Sequence, residues 1–180
     1  YSVLWFQQMN SKMSYESYIW NLSNPNVPEK TLLPPSPLCT TVFNPKSPNT
    51  LIGGCYNGGV CMFDLLAGNS SGVIAPKFTS VLEKSHHDPV YDIYWTISKT
   101  NSEFVSTSTD GWILWWDTWY LSNPIEEFSI EADVDGNGPK ILGGTRLDYN
   151  AEAGAFKYLV GTEQGHVFQV NKKTAKVEII

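Results

Sequence analysis

Apolar residues along this chain come in short runs, each broken off by Gly, Pro, Asn, Asp or Ser. No stretch sustains the 3.6-residue apolar period of an amphipathic helix, and 14 Gly with 11 Pro punctuate the chain every few residues. Four of the runs end alike: Ser17-Tyr18-Ile19-Trp20-Asn21, Val60-Cys61-Met62-Phe63-Asp64, Ile113-Leu114-Trp115-Trp116-Asp117 and Val167-Phe168-Gln169-Val170-Asn171. Their closing residues stand at 21, 64, 117 and 171, so the intervals are 43, 53 and 54 residues. Six residues before the last three closures stands a glycine behind a polar residue: Asn57-Gly58, Asp110-Gly111 and Gln164-Gly165. Such pairs mark tight hairpins, because Gly, Asn and Asp tolerate positive φ.

A β-prone run leads into each turn, over 50–55, 103–107 and 158–160. Each repeat therefore predicts a strand, a two-residue turn and a second strand. A further strand precedes each hairpin: Pro37-Leu38 to Phe43 lies 52 residues before Pro89-Val90 to Trp95, and Ile141 to Leu147 holds the matching place in the last repeat. Short runs such as Ile125 to Ile130 and Lys176 to Ile180 follow the closures. About four antiparallel strands per repeat at this period predict β-propeller blades, and the Trp116-Asp117 closure narrows these to the WD-repeat type. The expected fold is all-β: a partial blade over 1–30, in which Ser2 to Phe6 reads as a strand, and blades over 31–84, 85–137 and 138–180 of one propeller domain. A closed ring of seven or eight blades needs about 300 residues or more, so the 180 residues read as a segment of a longer chain.

The third repeat is the most complete. His86 stands four residues before Val90, and Ser106, Asp110 and Trp116 follow at the WD-repeat spacing. In that family these four form a buried hydrogen-bonded set tying strands to turns. A buried carboxylate is tolerated only when paired or hydrogen-bonded, and an imidazole can meet that need. The second repeat carries Gly53, Asn57 and Phe63 at three of the positions, and the fourth carries Val160, Gln164 and Val170.

Charge and cysteine content remove several function classes. Lys plus Arg is 12 and Asp plus Glu is 18, a formal charge of −6, which gives neither the basic footprint of a nucleic-acid binder nor a polybasic membrane patch. No apolar stretch reaches the roughly 20 residues of a membrane span, and no signal-peptide pattern opens the chain. Cys39, Cys55 and Cys61 are odd in number, form no CxxC pair and lie in apolar or β-branched runs, so all three are expected to be buried structural thiols. The acceptor triplets Asn21-Leu22-Ser23 and Asn69-Ser70-Ser71 read as chance without a secretory signal.

Longer blocks narrow the family. Ser17 to Asn26, Leu51 to Gly58, Ser85 to Tyr91, Ser106 to Gly111, Trp115 to Asp117 and Val160 to Gly165 together resemble, in order, the corresponding segments of outer-arm axonemal dynein intermediate chains, most closely the second of them. The linkers Leu66 to Lys84 and Glu131 to Pro139 carry no motif of that family. The resemblance implies a non-catalytic subunit of a ciliary motor, located in the cytoskeleton of the axoneme. It implies that the propeller binds the tail of a dynein heavy chain, that a second intermediate chain pairs with it, and that light chains bind segments outside this piece. A WD-repeat adaptor of cytoplasmic dynein or of ciliary transport is the alternative reading. No Gly-rich phosphate loop ending in Lys-Ser or Lys-Thr occurs, in keeping with motor chemistry that belongs to the heavy chain.

Catalytic and metal-binding constellations fall away one by one. Asp133 to Gly138 opens like a calcium loop, but Gly144 stands where the bidentate Glu is required. The trio His86-His87-Asp88 lacks any zinc spacing, so no cofactor or metal is expected. Ser106, His86 and Asp110 are already explained by the repeat, and no G-x-S-x-G turn is present. Trp115 and Trp116 read as core. In a WD propeller the second-to-third-strand turns and the entries to the first strands share one rim. Tyr56, Asn57, His87, Asp88, Trp112, Glu163 and Gln164 are therefore the candidate partner-binding residues, with Trp119-Tyr120 on the opposite face.

Overall fold

A computed structural model of the protein describes residues 14–67, 72–96, 100–134, 136–149, 156–174 and 176–180. The expected strand over Ser2 to Phe6, the Asn69 triplet and Asp135 of the calcium-like loop lie outside these residues. The first sheet pairs β1 (Ser17–Ile19) antiparallel with β2 (Lys30–Leu32). Then β3 (Leu38–Phe43), β4 (Thr50–Cys55) and β5 (Val60–Asp64) form an antiparallel meander. The chain next sends β6 (Val73–Ile74) back to pair parallel with β2, and β7 (Phe78–Thr79) to complete the meander beside β5.

A 3-10 turn at Leu82–Lys84 leads into the next four-stranded sheet: β8 (Val90–Trp95), β9 (Glu103–Ser108), β10 (Trp112–Asp117) and β11 (Glu126–Ser129). A ribbon of β12 (Glu131–Ala132) and β13 (Lys140–Ile141) then precedes β14 (Gly144–Tyr149), β15 (Lys157–Thr162), β16 (Val167–Asn171) and β17 (Lys176–Ile179). The strand expected over Ile141 to Leu147 is thus two strands. The break falls at Leu142-Gly143, where Gly143 passes so close to the Thr109 backbone that a Cβ would lie 2.8 Å from its carbonyl oxygen.

Each four-stranded sheet buries both faces unless it lacks a neighbour. In the first complete sheet, Leu51, Cys61 and Phe63 face Leu32 and Ile74 of the opening sheet, while Ile52, Val60 and Met62 face the next. There they meet Ile93, Trp95, Phe104, Leu114 and Trp116. The opposite face of that sheet, Val105, Ile113 and Trp115, packs on Tyr158, Val160, Phe168 and Val170 of the last one. Strand alternation explains the division, since successive side chains point to opposite faces. The first strands lie side by side, β3 against β8 and β8 against β14. This is an open run of propeller blades, with first strands innermost. Trp115 and Trp116 are both 0% exposed. An indole buries about 200 Å², and at about 25 cal/mol/Å² each contributes about 5 kcal/mol of hydrophobic stabilisation before entropy is subtracted.

The hairpin turns differ from the expected two-residue type. Gly58, Gly111 and Gly165 have φ of 85°, 81° and 84°, while the residue before each keeps a negative φ. Their amides donate back three residues, to the carbonyls of Cys55, Ser108 and Thr162 at 3.1, 3.2 and 3.1 Å. Only the glycine occupies the left-handed region, as in a turn followed by a glycine bulge rather than a primed turn with two positive φ values. The cysteines also differ from expectation. Cys55 and Cys61 are buried and free, with sulfurs 3.9 Å apart, but Cys39 is exposed. It sits where the β3–β4 register shifts between Leu38 and Thr40, on a strand with only a half-buried alternating pattern.

Candidate functional site

The four residues of the third repeat are joined by side-chain hydrogen bonds. His86 follows the Leu82–Lys84 turn, Ser106 lies on β9, Asp110 lies within the β9–β10 turn just before Gly111, and Trp116 lies on β10. His86 Nε2 is 2.8 Å from Ser106 Oγ, and Nδ1 is 3.2 and 3.3 Å from the Asp110 carboxylate oxygens. Trp116 Nε1 donates to the same Ser106 Oγ at 2.9 Å. Donors and acceptors balance in one direction: the indole N–H donates to the serine, the serine hydroxyl to His86 Nε2, and His86 Nδ1–H to Asp110. The carboxylate also accepts the amides of His87 and Trp112, each at 2.9 Å. Burial pushes the pKa of Asp110 up, but the hydrogen bonds and field of His86 and the two amides outweigh it, so the group is held below its ordinary value.

Ser106, His86 and Asp110 have the connectivity of a catalytic triad, yet the geometry does not serve nucleophilic chemistry. Ser106 is 0% exposed, and its hydroxyl is engaged by the imidazole on one side and the indole on the other. A nucleophile needs an approach to substrate and a free attacking lone pair. The set ties the chain entering β8 to the β9–β10 turn.

The candidate partner residues follow one arc. A Cβ on Gly58 would overlap the His86 carbonyl, so the Tyr56-Asn57 turn sits directly on the His86–Asp88 segment. The His87 amide reaches Asp110, one residue from the turn glycine that abuts Ile141 and Leu142. Gly143 O in turn accepts the Glu163 amide at 3.0 Å, beside Gln164. Asn57, His87, Asp88, Glu163 and Gln164 are exposed, Tyr56 is 45% exposed and Trp112 is half-buried. Glu83, Lys84, His87, Trp112 and Glu127 line a cleft of about 210 Å³ beside Asp110.

Ile141, 54% exposed on the β12–β13 ribbon, and Leu82, 50% exposed, also stand on this arc and were missed from sequence. Leu82 lies in the Leu66 to Lys84 linker, which carries no motif, and Ile141 reads as the start of a blade strand, so only their position after a blade's last strand could have flagged them. Trp119 and Tyr120 lie past the other end of β10.

Among the described residues no cluster of His, Cys, Asp and Glu could hold a metal ion, and no helix is long and apolar enough to cross a membrane. No family model matches the chain. It is similar to the ciliary dynein intermediate chain 3 of Heliocidaris crassispina, 42% identical over 173 residues, covering 96% of this chain and 28% of the relative. It is 39% identical over 173 residues to the 70 kDa intermediate chain of the flagellar outer arm dynein of Chlamydomonas reinhardtii, covering 96% and 29%. It is 42% identical over 173 residues to dynein axonemal intermediate chain 2 of Homo sapiens, covering 96% and 28%. The chain spans less than a third of the length of these relatives.

Proposed function

We propose, from the homology of this chain to the second axonemal dynein intermediate chain, that it is part of a non-catalytic WD-repeat scaffold subunit of an outer-arm dynein in cilia or flagella. The observation that carries the reading is similarity at about 40% identity through 96% of the chain to proteins named as ciliary, flagellar outer-arm or axonemal dynein intermediate chains. The sealed Ser106–His86–Asp110–Trp116 set supports a structural role for the one constellation that looks catalytic. In this reading the heavy-chain tail docks on the arc from Tyr56-Asn57 through His87-Asp88 and Trp112 to Glu163-Gln164. A second intermediate chain completes the pair, and light chains bind segments outside this piece. The arc mixes aromatic anchors with polar residues, the composition of a specific interface.

The test is immunoprecipitation of the tagged full-length protein from axonemal extract. Outer-arm heavy chain should be recovered, and Tyr56→Ala with Trp112→Ala should lower its recovery at least about tenfold if the two are anchors. Recovery of cytoplasmic dynein or transport subunits instead would reject the axonemal assignment. Undiminished heavy-chain recovery by a folded double variant would reject this face.

A further inference from the structure

We infer that the groove beside the β10–β11 turn, on the face opposite the arc, is a docking site for an extended, proline-rich segment that carries basic residues. Trp119 is 73% exposed and Tyr120 79%, adjacent on one turn. Phe78, 44% exposed on β7, and Ile125, 50% exposed, flank them. Together with Pro124 they line a groove of about 790 Å³. Two neighbouring aromatics left this open are unusual, because rings of this kind are the typical buried anchors of interfaces. The open ends of the blade run do not account for them. The blade that carries them has packed neighbours on both faces, through Trp116 on one side and Trp115 on the other.

The aromatics stand on a fixed turn. The Trp119 amide donates to Asp117 Oδ1 and the Tyr120 amide to Asp117 O, each at 3.0 Å, while the Thr118 amide donates to Ser102 O at 2.9 Å. Leu121 is 3% exposed in the core beneath, and Ser122 O accepts the Val81 amide at 3.2 Å. A ring presented from so constrained a turn loses little freedom on binding.

Charge selects the occupant. Glu103 and Asp117, opposite one another in the β9–β10 register, both line the groove, and among the described residues no Lys or Arg lines it. Among the described residues, Lys77 pairs with Asp64 at 3.1 Å, its ammonium 6.0 Å from the Phe78 ring centroid. Lys172, 15% exposed, is shared between Glu103 at 3.8 Å and Glu126 at 3.6 Å, so one cation faces two carboxylates. An aromatic surface bounded at one end by carboxylates fits a polyproline II segment, whose rings pack on aromatic faces while a flanking Arg or Lys meets the acids. A docked helix would need a continuous apolar trough along several turns, whereas this aromatic surface comes chiefly from one turn. The groove is read from two central blades alone and does not depend on which face meets the heavy chain.

The experiment is fluorescence anisotropy with the full-length protein and a fluorescein-labelled decapeptide of two Pro-x-x-Pro steps ending in two arginines. Saturable binding is expected, weakened about thirtyfold or more by Trp119→Ala with Tyr120→Ala, the loss expected of hot-spot anchors. Tyr120→Lys, which keeps an exposed side chain but repels the arginines, should weaken it too, as should a twin peptide ending in glutamates or salt raised to about 0.5 M. Circular dichroism confirms that each variant stays folded. No binding by the unsubstituted protein at about 1 mM peptide, equal binding by the double alanine variant, or stronger binding of a basic amphipathic helical peptide would each overturn the proposal.

Discussion

Asp110→Ala removes one carboxylate that serves three donors, and the structure separates what each loss costs. The amides of His87 and Trp112 belong to residues that are exposed and half-buried, so water can replace the carboxylate for both. The His86 side chain is 0% exposed and its Nδ1 has no other partner within reach of solvent. One buried donor left unsatisfied costs about 1–3 kcal/mol, while two rehydrated amides add little. The expected destabilisation is therefore about 1–3 kcal/mol, read from urea denaturation of the full-length protein by circular dichroism. Ser106→Ala should cost at least as much, because it strands both His86 Nε2 and Trp116 Nε1. Both changes act through the same imidazole, so the double variant should depart from additivity by about 0.5 kcal/mol or more. A loss below about 0.5 kcal/mol for Asp110→Ala at unchanged m-value, or strict additivity, would refute the claim that the set acts as one unit.

The same carboxylate predicts an acid limb. Its folded-state pKa is depressed, so its contribution is complete above the unfolded value near 4 and is lost as pH falls through the folded value. The stability difference between the unsubstituted protein and Asp110→Asn should be flat above about pH 5 and shrink below about pH 4 in urea midpoints. Gly58→Ala and Gly165→Ala share a φ near 85°, but only the first drives a Cβ into the His86 carbonyl, and the second has open space. Thermal melts should show about 1 kcal/mol lost at Gly165 and clearly more at Gly58; equal losses would contradict the packing. Lys172→Met keeps the stem under Trp115, whose ring centroid is 5.5 Å from the ammonium, but gives up the two carboxylates. A loss of about 1 kcal/mol is expected in the same urea assay, and it should shrink in high salt.

The repeat was legible because its signals are local. The turn glycines, the alternation that sends Trp115 and Trp116 to opposite faces, and the spacing from His86 to Val90 all lie within a few residues of the strands they define. The features not legible depend on contacts made far along the chain. Nothing near Val73 shows that β6 leaves its own blade to pair with Thr31 and Leu32. The exposure of Cys39 depends on a register shift against Cys55, which an apolar sequence neighbourhood does not reveal. Ile141 read as strand from its β-propensity, whereas Gly143 breaks that strand because the Thr109 backbone crosses it. For the partner arc, the sequence supplied the turn residues but not the ribbon that adds Ile141 between them.

The decay of the hydrogen-bond set in the other blades follows from the same physics. Register equates Leu38 and Gly144 with Val90, since they pair with Cys55, Thr162 and Ser108 in turn. The residue four before each is then Pro34, Lys140 and His86. In the second repeat all four members are replaced together, by Pro34, Gly53, Asn57 and Phe63; in the last, by Lys140, Val160, Gln164 and Val170. A half-kept set would bury a donor or acceptor without its partner, which costs more than losing the set altogether. The vacated space is also taken up. A Cβ on Gly53 would lie 2.7 Å from the Leu38 side chain and 3.2 Å from the Cys61 sulfur, so aliphatic and thiol groups occupy what serine and imidazole fill in the third repeat. Phe63 and Val170 at the indole position and Val160 at the serine position are each 0% exposed, so these places remain filled without a polar atom to satisfy. The cohesion of the run therefore rests on apolar contact between sheets at every joint. The polar set is confined to the one blade that holds all its members, and there it fixes the Asp110 turn from which Trp112 projects into the candidate partner arc.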